Sequence, residues 1–181
     1  MFALTPRLTL RPGWPEDAPE LARAIGHEAV ATKLARVPWP YTEEDAAWFL
    51  SQPRGANDPV FLITERQLAP RIVGGIGIHA DESGVPELGY WLTPGTWGRG
   101  YATEAGRAVV AIARDALGLK RLGARHMLGN DASARVLAKL GFRPTGRVVK
   151  LPCRALGRDT DAVETTLDLD DCRSGPMPLA A

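Results

Sequence analysis

Gly95-Thr96-Trp97-Gly98-Arg99-Gly100-Tyr101-Ala102-Thr103-Glu104 is the stretch on which the reading of this chain turns. It follows a strand-like run at 87–92 and the break Thr93-Pro94-Gly95. It leads into a segment in which Ala102, Ala105, Val109, Ile112, Ala113 and Ala116 share one helical face, with Gly118 placed to end the helix. A strand therefore passes into a helix through a turn of small residues. Glycines let the backbone approach a ligand, and the first N–H groups of a helix have no internal partners, so the pattern outlines an anion site suited to a diphosphate. A plain glycine turn is the competing account. Two other phosphate motifs do not fit. A dinucleotide fingerprint needs glycine where Thr103 stands, and a Walker A loop needs Gly-Lys-Ser/Thr where the chain has Gly100-Tyr101-Ala102. Neither an NAD enzyme nor an ATPase is supported.

Upstream, Leu8-Thr9-Leu10-Arg11 alternates as a first strand, and Pro12-Gly13 ends it. A helix is expected next, N-capped by Asp17, with Leu21, Ile25 and Ala29 at helical spacing. Thr42 and Asp45 form a capping box for a helix bearing Trp48, Phe49 and Leu50, which makes the acidic run Glu43-Glu44-Asp45 a helix start and not a metal site. Residues 60–64 and 72–79 read as a hairpin, joined by the strand at 87–92 after the turn Asp81-Glu82-Ser83-Gly84. Downstream come a strand at 122–128, a helix at 133–140 with Val136, Leu137 and Leu140 inward and Gly141 after its end, and a hairpin with arms near 147–153 and 162–169.

The 181 residues, 45% hydrophobic and 24% charged, suit one domain, expected over 1–173 with a loose tail at 174–181. With 22 Lys+Arg against 21 Asp+Glu, the net charge of +1 gives no general field for a polyanion, so direct nucleic-acid binding is not expected and a bound phosphate needs a local site. Cys153 and Cys172 have neither metal nor redox spacing. Arg7 and Arg11 interrupt any signal-peptide core, and no apolar run spans a bilayer, so the expected location is the cytoplasm, away from membranes.

Several motifs in order resemble one family. They are Thr5-Pro6-Arg7-Leu8-Thr9-Leu10-Arg11-Pro12, Glu87-Leu88-Gly89-Tyr90-Trp91-Leu92-Thr93-Pro94, Trp97-Gly98-Arg99-Gly100-Tyr101-Ala102-Thr103-Glu104-Ala105, and Asn130-Asp131-Ala132-Ser133 followed by Val136-Leu137-Ala138-Lys139-Leu140-Gly141-Phe142. Together they resemble the Gcn5-related N-acetyltransferases (GNAT), in the RimJ/RimL-like branch, over nearly the whole chain. Gly95 departs from the pattern, standing where Arg or Gln is usual. The resemblance implies an α/β GNAT fold: a mixed, mostly antiparallel sheet, splayed at the cofactor strand and flanked by helices. It implies acetyl-CoA as acetyl donor and no metal. The pantetheine arm would lie beside Leu92 and Thr93, and the diphosphate would meet the backbone of Trp97, Gly98, Arg99, Gly100, Tyr101, Ala102 and Thr103. Asn130 and Ser133 would lie near the pantetheine and thioester, although Asn130 also suits a strand-to-helix junction and Ser133 a first helical turn.

Acetyl transfer to an amine requires an unprotonated amine, a polarised carbonyl and a hydrogen-bond donor for the leaving thiolate. The tyrosine that serves as acid in many relatives is replaced by Leu137, which leaves Ser133 as substitute. Glu87 is the candidate base, set against an exposed strand-end charge, and His79 a candidate relay, set against a solvated histidine. His126 reads as a hydrogen-bonded core histidine. Trp39, Tyr41 and Trp48 belong to the segment that walls the acceptor site in the family, with packing the preferred role for Trp48. Arg99, Arg107 and Arg135 are candidate phosphate contacts or solvated helix residues. The expected acceptor is a protein N-terminal α-amine. A small amine (polyamine or aminoglycoside) is the enzymatic alternative, and a non-catalytic acyl-CoA-binding module the alternative of another class. A monomer or homodimer is expected.

Overall fold

The computed structural model describes residues 1–55, 58–80 and 84–170. Eight strands form one sheet in the order β1-β2-β3-β4-β5-β6-β8-β7. They are β1 Ala3–Leu4, β2 Leu8–Arg11, β3 Val60–Glu65, β4 Ile72–Ala80, β5 Pro86–Leu92, β6 Arg121–Met127, β7 Arg143–Cys153 and β8 Arg158–Asp168. Among the described residues five α-helices accompany them: α1 Ala18–Ile25, α2 Glu28–Ala31, α3 Glu43–Ser51, α4 Tyr101–Asp115 and α5 Asp131–Lys139. The sheet is mixed and mostly antiparallel, as expected.

The departure that shapes the molecule lies between β5 and β6, the one parallel pair among the described residues, which meet only at Glu87↔Gly123. On its other side β5 is paired with β4 from Gly74↔Leu92 to Ala80↔Pro86, and β6 with β8 from Arg121↔Asp168 to Met127↔Ala162. From Leu88 onward the two central strands therefore diverge into a wedge-shaped gap. Backbone groups along such an open edge need partners, which makes it a place for an extended ligand to hydrogen bond.

Alternation along β5 sends Leu88, Tyr90 and Leu92 to one face, where they pack with Tyr101, Ala105, Val109 and Ala113 of α4 and Leu137 of α5. Trp91 goes to the other face, against the cluster of Leu21 and Ala24 from α1, Ala46 from α3, and Leu62 and Ile72. Helices thus cover both faces.

The Thr42–Asp45 capping box forms as expected, the Thr42 hydroxyl accepting from the Asp45 N–H and the Asp45 carboxylate from the Thr42 N–H. Three expectations are corrected. The helix expected to run through Ala29 stops at Ile25, because Gly26 leaves the helical conformation; a Cβ there would stand 2.5 Å from the Ala22 carbonyl oxygen. Asp17 does stand at the N-cap, but without a side-chain cap bond, since its carboxylate is taken by Arg11 and the Trp14 N–H. Trp48 does not pack in the core: it is 64% exposed. The expected turn residues Asp81, Glu82 and Ser83 and the expected tail at 174–181 lie outside the described residues.

Candidate acetyl-donor and acceptor site

The loop between β5 and α4 is built from backbone. Gly98 and Gly100 have φ of +76° and +80°, a region L side chains avoid, and Gly100 is the N-cap of α4. The first α-helical bond is donated by the Glu104 N–H to the Gly100 carbonyl, so the N–H groups of Tyr101, Ala102 and Thr103 precede the helical ladder. With the positive end of a 15-residue helix behind them, they form a donor set that fits a diphosphate. A Cβ at Gly98 would meet nothing within 4 Å, and one at Gly100 only Arg7 Nη2 at 3.6 Å. The protein itself leaves that space open. Gly95, in a 3-10 turn, has no positive φ.

Side chains brace the loop from behind. Glu104 accepts from the Thr5 hydroxyl (2.6 Å), the Arg7 N–H (2.9 Å) and Arg7 Nε (2.7 Å). Burial alone would push the Glu104 carboxyl up, but the hydrogen bonds from Thr5 and Arg7 and the Arg7 charge outweigh it and hold the group below its ordinary 4.5. Arg7 Nη1 also donates to the Arg99 carbonyl at 2.9 Å, and its guanidinium lies 4.8 Å from the Tyr101 ring centre. A trans peptide points its C=O and the following N–H in opposite directions. Fixing the Arg99 carbonyl toward Arg7 therefore turns the Gly100 N–H away from it. The Tyr101 phenol is spent on Glu65 (2.8 Å), so that residue offers its backbone alone to a ligand. Arg99 reaches Glu65 at 3.6 Å with its side chain half exposed, and Arg107 and Arg135 are exposed. Leu92 is half-buried on the core and its carbonyl receives the Trp97 indole N–H at 2.8 Å, while the Thr93 hydroxyl lies 3.4 Å from His27 Nε2.

Across the gap, Asn130 caps α5, its side chain accepting from the Ser133 N–H at 3.3 Å. The cap reading of Asn130 is thus realised, and Ser133 sits in the first turn. The Ser133 hydroxyl lies 2.7 Å from the phenol of Tyr90, so strand β5 and helix α5 are bridged over the gap. Leu137 is 2% exposed within the core cluster. His126 is half-buried, its Nδ1 3.2 Å from the Met127 carbonyl.

The opposite sheet face carries the other polar group. Glu87 is only 8% exposed, and its Oε2 receives Arg125 Nη2 at 2.6 Å, so the exposed strand-end charge considered from the sequence is replaced by a part-buried ion pair. Oε1 has no hydrogen bond among the described residues. His79 is the direct cross-strand neighbour of Glu87. Burial first, then the Arg36 charge, push His79 below its ordinary 6.5, with Glu87 opposing and Arg125 adding. At the far end of β6 a cleft of about 470 Å³ is lined by Thr32, Lys33, Met127, Asn130, Asp159 and Asp161 among others. The Lys33 ammonium, on that lining, lies 5.2 Å from the Trp97 ring centre, which joins the cleft to the loop. Trp39 is 40% exposed, and Tyr41 is half-buried against the α1–α3 cluster. Among the described residues no group of His, Cys, Asp and Glu is arranged to hold a metal, and no helix is long and apolar enough to cross a membrane.

Sequence reasoning singled out Glu87, His79, Ser133 and the loop, and missed Tyr90 beside Ser133, Arg125 beside Glu87, and Arg7 and Glu104 behind the loop. Three of these four stood inside the quoted motifs; Arg125 had no local signal.

Residues 7–143 match the family model described as an acetyltransferase (GNAT) domain. The uncharacterized N-acetyltransferase YoaA of Bacillus subtilis is 39% identical over 84 residues, 45% of this chain and 48% of YoaA, so the match spans about half that relative's length. The uncharacterized N-acetyltransferase p20 of Bacillus licheniformis is 30% identical over 78% of this chain and 82% of p20. Among solved structures, the ribosomal-protein-S5-alanine acetyltransferase of Vibrio fischeri aligns with a TM-score of 0.78 and 21% identity, covering 94% of this chain and 98% of that one. RimJ of Mycobacterium smegmatis, solved with a CoA-disulfide, aligns with a TM-score of 0.77 and 22% identity over 94% and 88% of the two chains. At such identity the two structures establish likeness of fold. The match to the family model over most of the chain establishes more: this chain belongs to the GNAT acetyltransferase family.

Proposed function

We propose that this chain transfers acetyl from acetyl-CoA to a primary amine by direct attack, and that the acceptor is a protein N-terminal α-amine. The observation that carries the first part is the open β5/β6 gap running into the glycine-capped start of α4. An extended pantetheine arm fits along the strand edge at Leu92 and Thr93, and a diphosphate fits the donors from Gly98 to Thr103, the expected Trp97 N–H being taken by the Pro94 carbonyl at 3.1 Å. Acetyl transfer forms an N–C bond and breaks a C–S bond, so the chain must take one proton from the amine and help supply one to the sulfur. Ser133 faces the sulfur. Glu87 and His79 face the amine and take its proton directly or through one water.

The choice of acceptor rests on the weakness of that basic centre. The Glu87 charge is already paired with Arg125, and His79 is held below 6.5. Such a centre suits an amine with an appreciable free fraction. At pH 7 about a tenth of an α-amine with pKa ~7.7–8.0 is unprotonated, against about 1 in 2,500 for an alkyl amine near 10.4. The likeness to a ribosomal-protein-alanine acetyltransferase fold accords with this acceptor.

A thiol-release screen with acetyl-CoA across peptide N-termini, polyamines and aminoglycosides tests the proposal. Release driven by free peptide N-termini is expected. Release driven only by polyamines or aminoglycosides would move the acceptor to small amines, and tight acetyl-CoA binding without release would identify a binding module.

A further inference from the structure

Leu137 is buried in the core and has no proton to give, so any donor to the departing sulfur must come from elsewhere. Two hydroxyls meet over the gap: Tyr90 from β5 and Ser133 from α5, 2.7 Å apart, with the phenol also 3.3 Å from the Ser133 carbonyl. Tyr90 lies on the same face as Leu88 and Leu92, half-buried against the core that holds α4 and α5, so its ring has little freedom. Burial pushes the phenol up to about 12, with the Ser133 bond pulling the other way, and it keeps its proton at neutral pH.

We propose that Tyr90 is a positioning residue for acetyl transfer: its phenol donates to Ser133 Oγ, fixes the serine rotamer and leaves the serine proton directed into the gap, at the departing sulfur. The assignment rests on the proposed acetyl transfer. A hydroxyl has one proton and two lone pairs. With one lone pair occupied by Tyr90, the Ser133 O–H is free to point at a second acceptor, and hydrogen bonds in series strengthen one another. When the C–S bond breaks, its electron pair stays on sulfur and the sulfur takes the Ser133 proton. The serine oxygen recovers a proton from Tyr90 and the phenol recovers one from solvent, which receives the proton lost by the amine, so both residues end the turnover unchanged. No other co-reactant is needed.

A double-mutant cycle distinguishes this from simple packing. Ser133→Ala is expected to lower kcat by ~10²–10³, the loss typical of one preorganised donor at a developing anion. Tyr90→Phe, which removes only an oxygen, is expected to lower kcat by ~3–10-fold, the size of one net hydrogen bond, with little change in KM for acetyl-CoA. In the Ser133→Ala background the tyrosine change should have no further effect, because coupled residues fail to add. Melting curves establish that each variant folds, and Tyr90→Leu replaces the phenylalanine variant in the cycle if that one does not. Additive losses, an unchanged Tyr90→Phe rate, or a defect confined to KM would overturn the assignment while leaving acetyl transfer intact. Absence of thiol release by the unaltered protein, with any amine and with water alone, would overturn the proposed function and this assignment together.

Discussion

The two sides of the β5/β6 gap are made of different materials. The side proposed to hold the acetyl donor is backbone: two left-handed glycines, the free N–H groups at the start of α4 and an open strand edge, held from behind by Glu104, Thr5 and Arg7. The side proposed to take the acceptor is side chains: His79 on β4 stands opposite Glu87 on β5, and Arg125, two residues along β6 from the Gly123 that pairs with Glu87, reaches its carboxylate in an ion pair. Backbone donors have no titrating state, and in the proposed reaction they set the affinity for acetyl-CoA. In the proposed reaction the side chains that take the amine proton set the rate. Each variant below acts on one side and should leave the other's signature in place.

Gly100→Val should produce the largest effect. Saturating acetyl-CoA at ~100 times its Kd adds about 2.7 kcal/mol of stability, and for a chain of this size each 1 kcal/mol raises Tm by about 2–4 °C. Thermal melting should show that shift in the parent protein and none in the variant, because valine resists the +80° φ of Gly100 and its side chain would enter the space left for the ligand. A folded variant that keeps the shift would show that the diphosphate binds elsewhere.

On the acceptor side, Glu87→Gln is expected to lower kcat/KM by ~10²-fold near neutral pH, within the range for loss of a positioned base, and to recover part of it in alkali as the amine deprotonates. A structural charge would change the rate by a similar factor at every pH. A flat Glu87→Gln defect beside a pH-dependent His79→Ala defect would make His79 the base. In neither case should acetyl-CoA affinity change by the margin seen for Gly100→Val.

The brace links affinity to stability. Glu104→Gln removes the charge that holds Arg7, and titration should show acetyl-CoA affinity weakened ~3–10-fold, the size of one net hydrogen bond. Because the folded-state pKa of Glu104 is lowered, the unfolded chain takes up the proton first as pH falls. The stabilisation is complete above pH 4.5 and is lost as pH drops through and below that value. Denaturant unfolding from pH 6 to 3 should therefore show a shallower decline for Glu104→Gln than for the parent. Parallel declines would remove Glu104 from the brace. The smallest effect belongs to Trp48→Ala, whose side chain is 64% exposed: stability should change by under ~0.5 kcal/mol, and a larger loss in the melting curve would return Trp48 to a packing role.

The same contrast explains what could be read from the sequence. The loop was legible because its shape depends on glycine dihedrals and a helix start, both local properties written within ten residues. The Thr42–Asp45 box was legible for the same reason. The gap itself was expected only through resemblance, since no local signal distinguishes a β5 that pairs along its length with β6 from one that leaves it after Glu87. Arg125 lies 38 residues from Glu87, and only the meeting of β5 and β6 makes them neighbours. Tyr90 reads as one more apolar-facing strand residue until α5 brings Ser133 to its hydroxyl. Trp48 misled because helical spacing reports which residues share a face, not how far that face is covered.

Acetylation of a two-site peptide tests the central claim most directly. One peptide carries a free N-terminus and an internal lysine, its control the same sequence with a blocked N-terminus, and both are incubated with acetyl-CoA and the intact protein at pH 7. Fragmentation mass spectrometry then locates the added acetyl group. The account predicts acetyl on the α-amine of the first peptide and none on the control. Equal acetylation of lysine in both peptides, or acetylation of neither while a polyamine in the same mixture is modified, would contradict it.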